Sequence, residues 1–424
     1  MTRSPVFLSI RELGDLIRTR QASPVELAMA FLDRLESLGP RYNAVVTLTR
    51  ELALEQARVA EKDILSGRYK GPLHGIPYGA KDLLATAGGI PTTWGAAPFR
   101  ERRFDHDATV IRRLQEAGAV LAAKLAMVEL AGGMGYRQPD ASFTGPGVNP
   151  WDTARWSGGS SSGSASAVCA GLVPFAIGSE TWGSILGPAN HCGLAGLRPT
   201  FGRVSRHGAM VLSWSLDKIG TLCLTPDDCG LVLEAIAGPD ASDPSTTDRP
   251  FRYDPSPPRR RFRFGVVGGV ADDAEAATRR NFEAALKTLE DVATIEVVQI
   301  PALPYEEITR TILFGEMASA FEDLIESGQV AGLSAPEDRF TPYSRVAVLA
   351  KDYIRALRLR GMVATEINRV MRGLDALLGP SRPFPSTRLD EDFPSAIRGT
   401  GKDIMGAIGN AVGLPAISVP DGFT

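Results

Sequence analysis

Histidine is scarce in this chain, and where it falls matters more than how little there is. Only His74, His106, His191 and His207 occur in 424 residues, none in the second half. An α/β-hydrolase triad needs a histidine late in the chain, after its nucleophile. Gly159–Gly163 formally fits Gly-x-Ser-x-Gly, but that partner is missing. Cysteine is equally sparse. Cys169, Cys192, Cys223 and Cys229 are too few to staple a chain of this length, and their spacing matches no zinc pattern. Their apolar or small neighbours point to buried free thiols in a reducing compartment. No metal and no cofactor are expected, because Gly75–Lys81 lacks the Gly-Lys-Ser/Thr ending of a phosphate-binding loop. Long apolar runs are missing too. The best, Ala165–Gly178, is short and holds Ser166 and Pro174, so no membrane span is expected. The start, MTRSPVFLSIRELGDL, has no signal-peptide core, and a cytoplasmic location is the default expectation. A net charge of −3 makes no electrostatic case for nucleic acid. Arg259-Arg260-Arg261 reads as a solvated stretch leaving the polar excursion Gly238–Arg263.

What is present describes a large globular chain. Apolar residues make up 44% and charged residues 22%, enough to bury a sizeable core. Ser23-Pro24-Val25-Glu26 reads as a capping box, and Leu27, Phe31, Leu35 and Leu38 then line one helical face until Gly39-Pro40. Glu51–Gly67 is a second amphipathic helix. Short apolar runs follow at Ala119–Ala122, Val173–Gly178, Phe264–Val267 and Ile295–Ile300, with a helix over Asp273–Val292 between the last two. Strands alternating with helices predict an α/β sheet covered on both faces.

The chemistry concentrates between Trp156 and Ser205. Two Gly-Ser clusters, Gly158–Ser164 and Gly183–Ser184, flank the apolar run AVCAGLVPFAIG. A flexible linker would not lead into buried strand, so the small residues suggest backbone packed closely around a reacting centre. Upstream, GIPYGAKD sets Lys81 among apolar and small residues. Lysine in water titrates near 10.4 and is useless as a base; burial disfavours its charged form. Serines beside a desolvated lysine can form a hydrolytic site without histidine or metal.

These segments resemble the amidase signature family. The likeness is carried by Gly75–Asp82, Asn149–Asp152, Gly158–Ser164, Trp182–Ile185, Cys192–Gly193, Gly196–Thr200, Gly202–Ser205, Ser215–Gly220, Asp375–Pro383 and Gly413–Phe423, in the family's order. The resemblance implies one large α/β domain over residues 1–424, a mixed twisted β-sheet with helices on both faces. It also implies that the family's usual C-terminal tail is missing, either because the sequence is cut short or because that edge is lost. By the same resemblance Ser184 is the nucleophile, Ser160 the bridging serine after a cis bond at Gly159–Ser160, and Lys81 the base. The backbone N–H groups of Thr181, Trp182, Gly183 and Ser184 would form the oxyanion hole. Ser161 and Ser162 would fix the loop, and Lys124 would be structural. Gly133, Met134, Trp182, Leu186 and His191 are the expected substrate contacts. Four positions depart from the family: Ser162 replaces the first glycine after the paired serines, Trp182 stands at a glycine, Leu186 where many members carry arginine, and His191 at a usual phenylalanine.

The implied activity is hydrolysis of a small-molecule amide, with anilides, carbamates and esters in range, through an acyl-serine. The alternative is the glutaminase subunit of a tRNA-dependent amidotransferase, which must grip a small zwitterion. Trp182 and the missing arginine at Leu186 speak against that. A non-catalytic binding protein on the same fold is the third reading, and a homodimer is allowed for.

Overall fold

The computed structural model describes residues 5–256, 259–345, 347–393 and 403–424. Ser23 caps the helix Pro24–Leu38, accepting from the N–H groups of Val25 and Glu26. Leu27, Phe31 and Leu35 are fully buried along it. Gly39-Pro40 does not end the turn outright. The chain tightens into a 3-10 turn over Gly39–Tyr42 that closes on left-handed Asn43. The next helix, Arg50–Leu65, buries a narrow face of Ala53, Ala57, Ala60 and Ile64, and alanine lets it lie close to the sheet.

Ten strands occur among the described residues: β1 (Val45–Leu48), β2 (Pro77–Lys81), β3 (Val120–Leu125), β4 (Phe175–Glu180), β5 (Ala195–Arg198), β6 (Lys218–Cys223), β7 (Phe262–Val267), β8 (Ala293–Val298), β9 (Ala376–Leu378) and β10 (Ala416–Ser418). Seven form a mixed sheet in the order β1-β3-β2-β4-β6-β5-β10. The central pairs β2–β3 and β2–β4 are parallel and the outer pairs antiparallel. Every residue of β2, β3 and β6 is buried, as expected of strands covered on both faces. The two-residue period splits the core. Tyr78, Phe175, Ile177 and Ile219 join one apolar cluster, while Val120, Ala176 and Leu222 join the other.

Phe264–Val267 and Ile295–Ile300 do form strands, β7 and β8, with the expected helix between them at Ala276–Leu289. They do not join the main sheet. With β9 they make a separate three-stranded parallel sheet, β8-β7-β9. Periodicity identifies a strand but carries no information about which sheet takes it. Most of the excursion Gly238–Arg263 is irregular; only residues 257–258 fall outside the described chain, and β7 takes its last two residues. All four cysteines are free thiols. Among the described residues, no helix is long and apolar enough to cross a membrane.

Candidate active site

Parallel β2 and β4 deliver their C-terminal ends to one place, where ligands gather in open α/β sheets. Lys81 is the last residue of β2, and Ser179 and Glu180 close β4. Lys81 is fully buried. Its Nζ lies 2.8 Å from Ser160 Oγ, 3.1 Å from Ser161 Oγ, 3.0 Å from Ser179 Oγ and 3.4 Å from Ser179 O. No carboxylate touches it among the described residues. Burial lowers its pKa from 10.5 to about 7, against a weaker upward pull from Asp217 and Glu180. At neutral pH a large share of Lys81 is therefore an amine with a lone pair, able to accept the Ser160 proton. The Gly159–Ser160 bond is cis.

The second element is the turn between β4 and the helix Leu186–Cys192. It is pinned at both ends by carboxylates, the buried Glu180 and the partly buried Asp217. Glu180 Oε2 accepts the N–H groups of Ile185 (2.9 Å) and Leu186 (3.0 Å), and its Oε1 pairs with Arg198 at 2.7 Å. Burial alone would raise its pKa, but Arg198 and Lys218 hold it down to about 2. Thr181 Oγ1 donates to Asp217 Oδ1 at 2.5 Å, and Asp217 Oδ2 accepts from the N–H groups of Leu212 and Ser213. Gly183 sits at φ +82°, where a side chain is strained. Ser161 N–H donates to Ser184 O at 3.3 Å, so the two Gly-Ser clusters meet. The N–H groups of Thr181, Trp182, Gly183 and Ser184 have no acceptor among the described residues, and Ser184 Oγ has no hydrogen bond there either. Lys81 and Ser160 are hydrogen-bonded; Ser160 and Ser184 are not.

Ser184 opens onto a cavity of about 240 Å³. Gly133, Trp182 and His191 line it. Met134 does not: it is packed inside the core with Leu130 and Leu212. Leu186 also faces elsewhere, into a second, largely apolar cavity between β5, β9 and β10. Met134 follows a lining glycine in a tight loop, and Leu186 opens a helix whose other positions, Gly187 and His191, take the cavity side. The Trp182 indole forms a wall and is fixed by its Nε1–H, which donates to Asp403 Oδ2 at 2.7 Å. The Arg310 guanidinium lies 5.6 Å over its ring. Burial, then the nearby Arg382 charge, lowers the His191 pKa to about 3, so the ring is neutral.

Several residues of the site carried no motif. Ser179 was readable in principle as a polar residue inside a buried strand. Glu306, Arg310 and Asp403 also line the cavity, as does Arg382 from the matching segment Asp375–Pro383, and only tertiary folding brings them there. Lys124 has a structural setting. It is buried 3.1 Å from Asp82 and bonded to Leu84 O (2.8 Å) and Thr92 Oγ1 (2.7 Å).

Known proteins resemble this chain in sequence and in fold. A sequence profile of the family described as Amidase matches residues 26–424. The chain is 34% identical over 450 residues to a protein from Carboxydothermus hydrogenoformans named as a subunit of glutamyl-tRNA(Gln) amidotransferase, covering 98% of this chain and 91% of that one. The solved structure of the equally named subunit from Thermotoga maritima superposes with a TM-score of 0.81 at 30% identity, over 99% of this chain and 88% of that one. A bacterial aryl acylamidase of the amidase signature family superposes with a TM-score of 0.88 at 25% identity, over 99% and 91%.

Proposed function

The chain belongs to the amidase family and is an enzyme that hydrolyses carbon–nitrogen bonds, and from that premise we propose a Ser184–Ser160–Lys81 mechanism acting on a small polar amide. Neutral Lys81 takes the Ser160 proton as Ser160 takes the Ser184 proton, and Ser184 Oγ bonds the carbonyl carbon. The oxyanion is met by the idle N–H groups of the Thr181–Ser184 turn. Collapse expels the amine, which receives the proton by the reverse path, and water then cleaves the acyl-serine by the same relay. The observation that carries this reading is the 2.8 Å contact between Ser160 Oγ and a buried Lys81 Nζ that meets no carboxylate. Ser160 and Ser184 must close to hydrogen-bond distance when substrate enters, as relay contacts often tighten only in the complex.

Two substrate settings share this chemistry: a free-standing amidase, and the glutaminase subunit of an amidotransferase. The curated relatives support the second, since they carry the name of an amidotransferase subunit. Trp182 and Leu186 weigh little against a zwitterion, because Arg382, Arg310, Asp403 and Glu306 supply charges of both signs to the cavity. We therefore favour a small primary amide with charged ends, glutamine included. In the test, a fluorophosphonate probe should acylate wild-type protein at Ser184, found by peptide mass spectrometry, and Ser184→Ala should abolish labelling and lower kcat by at least about 10³-fold. Labelling at another serine, or undiminished turnover by the variant, would refute the mechanism. Glutamine hydrolysis and copurification with partner subunits would support the amidotransferase setting over the free-standing one.

A further inference from the structure

Arg382 stands just beyond β9, far in sequence from the nucleophile, yet its guanidinium lies across the nucleophile turn. Nη2 donates to Gly183 O at 3.3 Å. A Cβ added at Gly183 would collide with Nη2, and one at Gly187 would sit 2.9 Å from Nη2 and 3.0 Å from Nε. Both glycines thus leave the space that the guanidinium fills, and any side chain there would push it off the turn. Gly183 directly precedes Ser184, so the cation is within one residue of the attacking oxygen's backbone.

Its pairing is poor. A guanidinium has five donors. Among the described residues the nearest carboxylate is Asp403, whose Oδ2 lies 3.6 Å from Nη1. Asp403 is better held by others: Trp182 Nε1 at 2.7 Å on the same oxygen, and Gly406 N–H at 3.1 Å on Oδ1. Glu306 Oε1 accepts the Asp403 N–H at 2.7 Å, and its Oε2 lies 4.0 Å from Arg310. The carboxylates of the cavity are therefore turned to the wall's own donors, while the cation beside the nucleophile keeps donors to spare. Leu212, Leu313, Phe384, Trp156 and Tyr136 make much of the remaining wall, where a charge-assisted bond gains strength from the low dielectric.

We infer that Arg382 anchors a carboxylate on the substrate, placed a few bonds from the scissile carbonyl, so that the enzyme selects short half-amides of this kind over neutral amides. The inference rests on the hydrolase reading above. The test compares succinamate with butyramide, which has the same length without the carboxylate, in wild type, Arg382→Gln and Arg382→Lys. Wild type should prefer succinamate; Arg382→Gln should lower the ratio of kcat/KM for succinamate to that for butyramide by about 30-fold or more, whatever loss the two share, with Arg382→Lys between. Equal losses on both substrates, or no wild-type preference, overturn the inference. Fluorophosphonate labelling of wild-type Ser184 separates the two readings: no labelling defeats the hydrolase mechanism, whereas labelling without carboxylate preference defeats only the Arg382 anchor. Should the variants fail to fold, wild type alone decides. Succinate should slow labelling at concentrations where neutral butyramide does not, and equal protection by the two overturns the proposal.

Discussion

Activity should follow the titration of Lys81. In water a lysine of pKa 10.5 is neutral in only about one molecule in 3,000 at pH 7. Burial brings Lys81 to about 7, so roughly half is available as base at that pH. Below about pH 6, kcat/KM for a primary amide should fall about tenfold per pH unit, because that parameter reports the free enzyme's groups. The perturbation is Asp217→Asn. Asp217 raises the Lys81 pKa, so removing its charge should move the acid limb to lower pH, while an amide keeps much of the acceptor role toward Thr181 and Ser213. Stability supplies an independent check. The folded pKa lies below the unfolded value, so the unfolded chain binds the extra proton between about 7 and 10.5, and stability rises with pH across that window. Compared with Lys81→Met, the wild type should lose about 2–3 kcal/mol between pH 9 and pH 7. The assay is a kcat/KM profile from pH 5 to 9 beside urea unfolding at both pH values. A profile flat down to about pH 5, a midpoint moved upward by Asp217→Asn, or activity abolished by a chelator would refute the reasoning.

Trp182→Gly should reorder bulky against small amides while Ser184 labelling persists, since the indole is wall and takes no part in the Ser184–Ser160–Lys81 proton relay; an unchanged ranking across the panel would reduce it to packing. Trp182→Phe keeps an aromatic ring but cuts the 2.7 Å bond to Asp403, so a panel intermediate between wild type and glycine is expected. Glu180→Gln leaves Arg198 buried without its counter-charge and should cost about 3–5 kcal/mol in urea unfolding, although Glu180 is not among the residues lining the cavity beside Ser184; a loss under about 1 kcal/mol would show that the pair is dispensable.

The sequence was most informative where chemistry and local backbone coincide. Lys81 ends a buried strand, and Ser160 and Ser184 sit in Gly-Ser turns that only a crowded site requires, so their neighbourhood was legible from composition and motif together. The helix at Pro24–Leu38 was legible because cap and apolar stripe agree. Met134 and Leu186 depart from expectation for a common reason: adjacency to a lining residue says nothing of which way a neighbour points, and one residue's rotation sent the first into the core and the second to another cavity. Arg382 lies in the matching segment Asp375–Pro383 but nothing there marks it as a site residue, and Asp403 could not be read at all. They reach the site from about 200 residues away, on segments whose local patterns describe only a turn and a helix cap. The split of the strands into two sheets escaped for the same reason, since pairing is a long-range choice.

That split has a mechanical consequence. Ser184 is mounted on the seven-stranded sheet through β4, whereas Arg382 follows directly from β9 of the small one, and a largely apolar void separates β9 from β5 and β10. The guanidinium and the nucleophile are thus two jaws fixed to different plates. A substitution that changes how the small sheet seats against the large one therefore changes the distance between guanidinium and nucleophile without altering a bond inside either sheet.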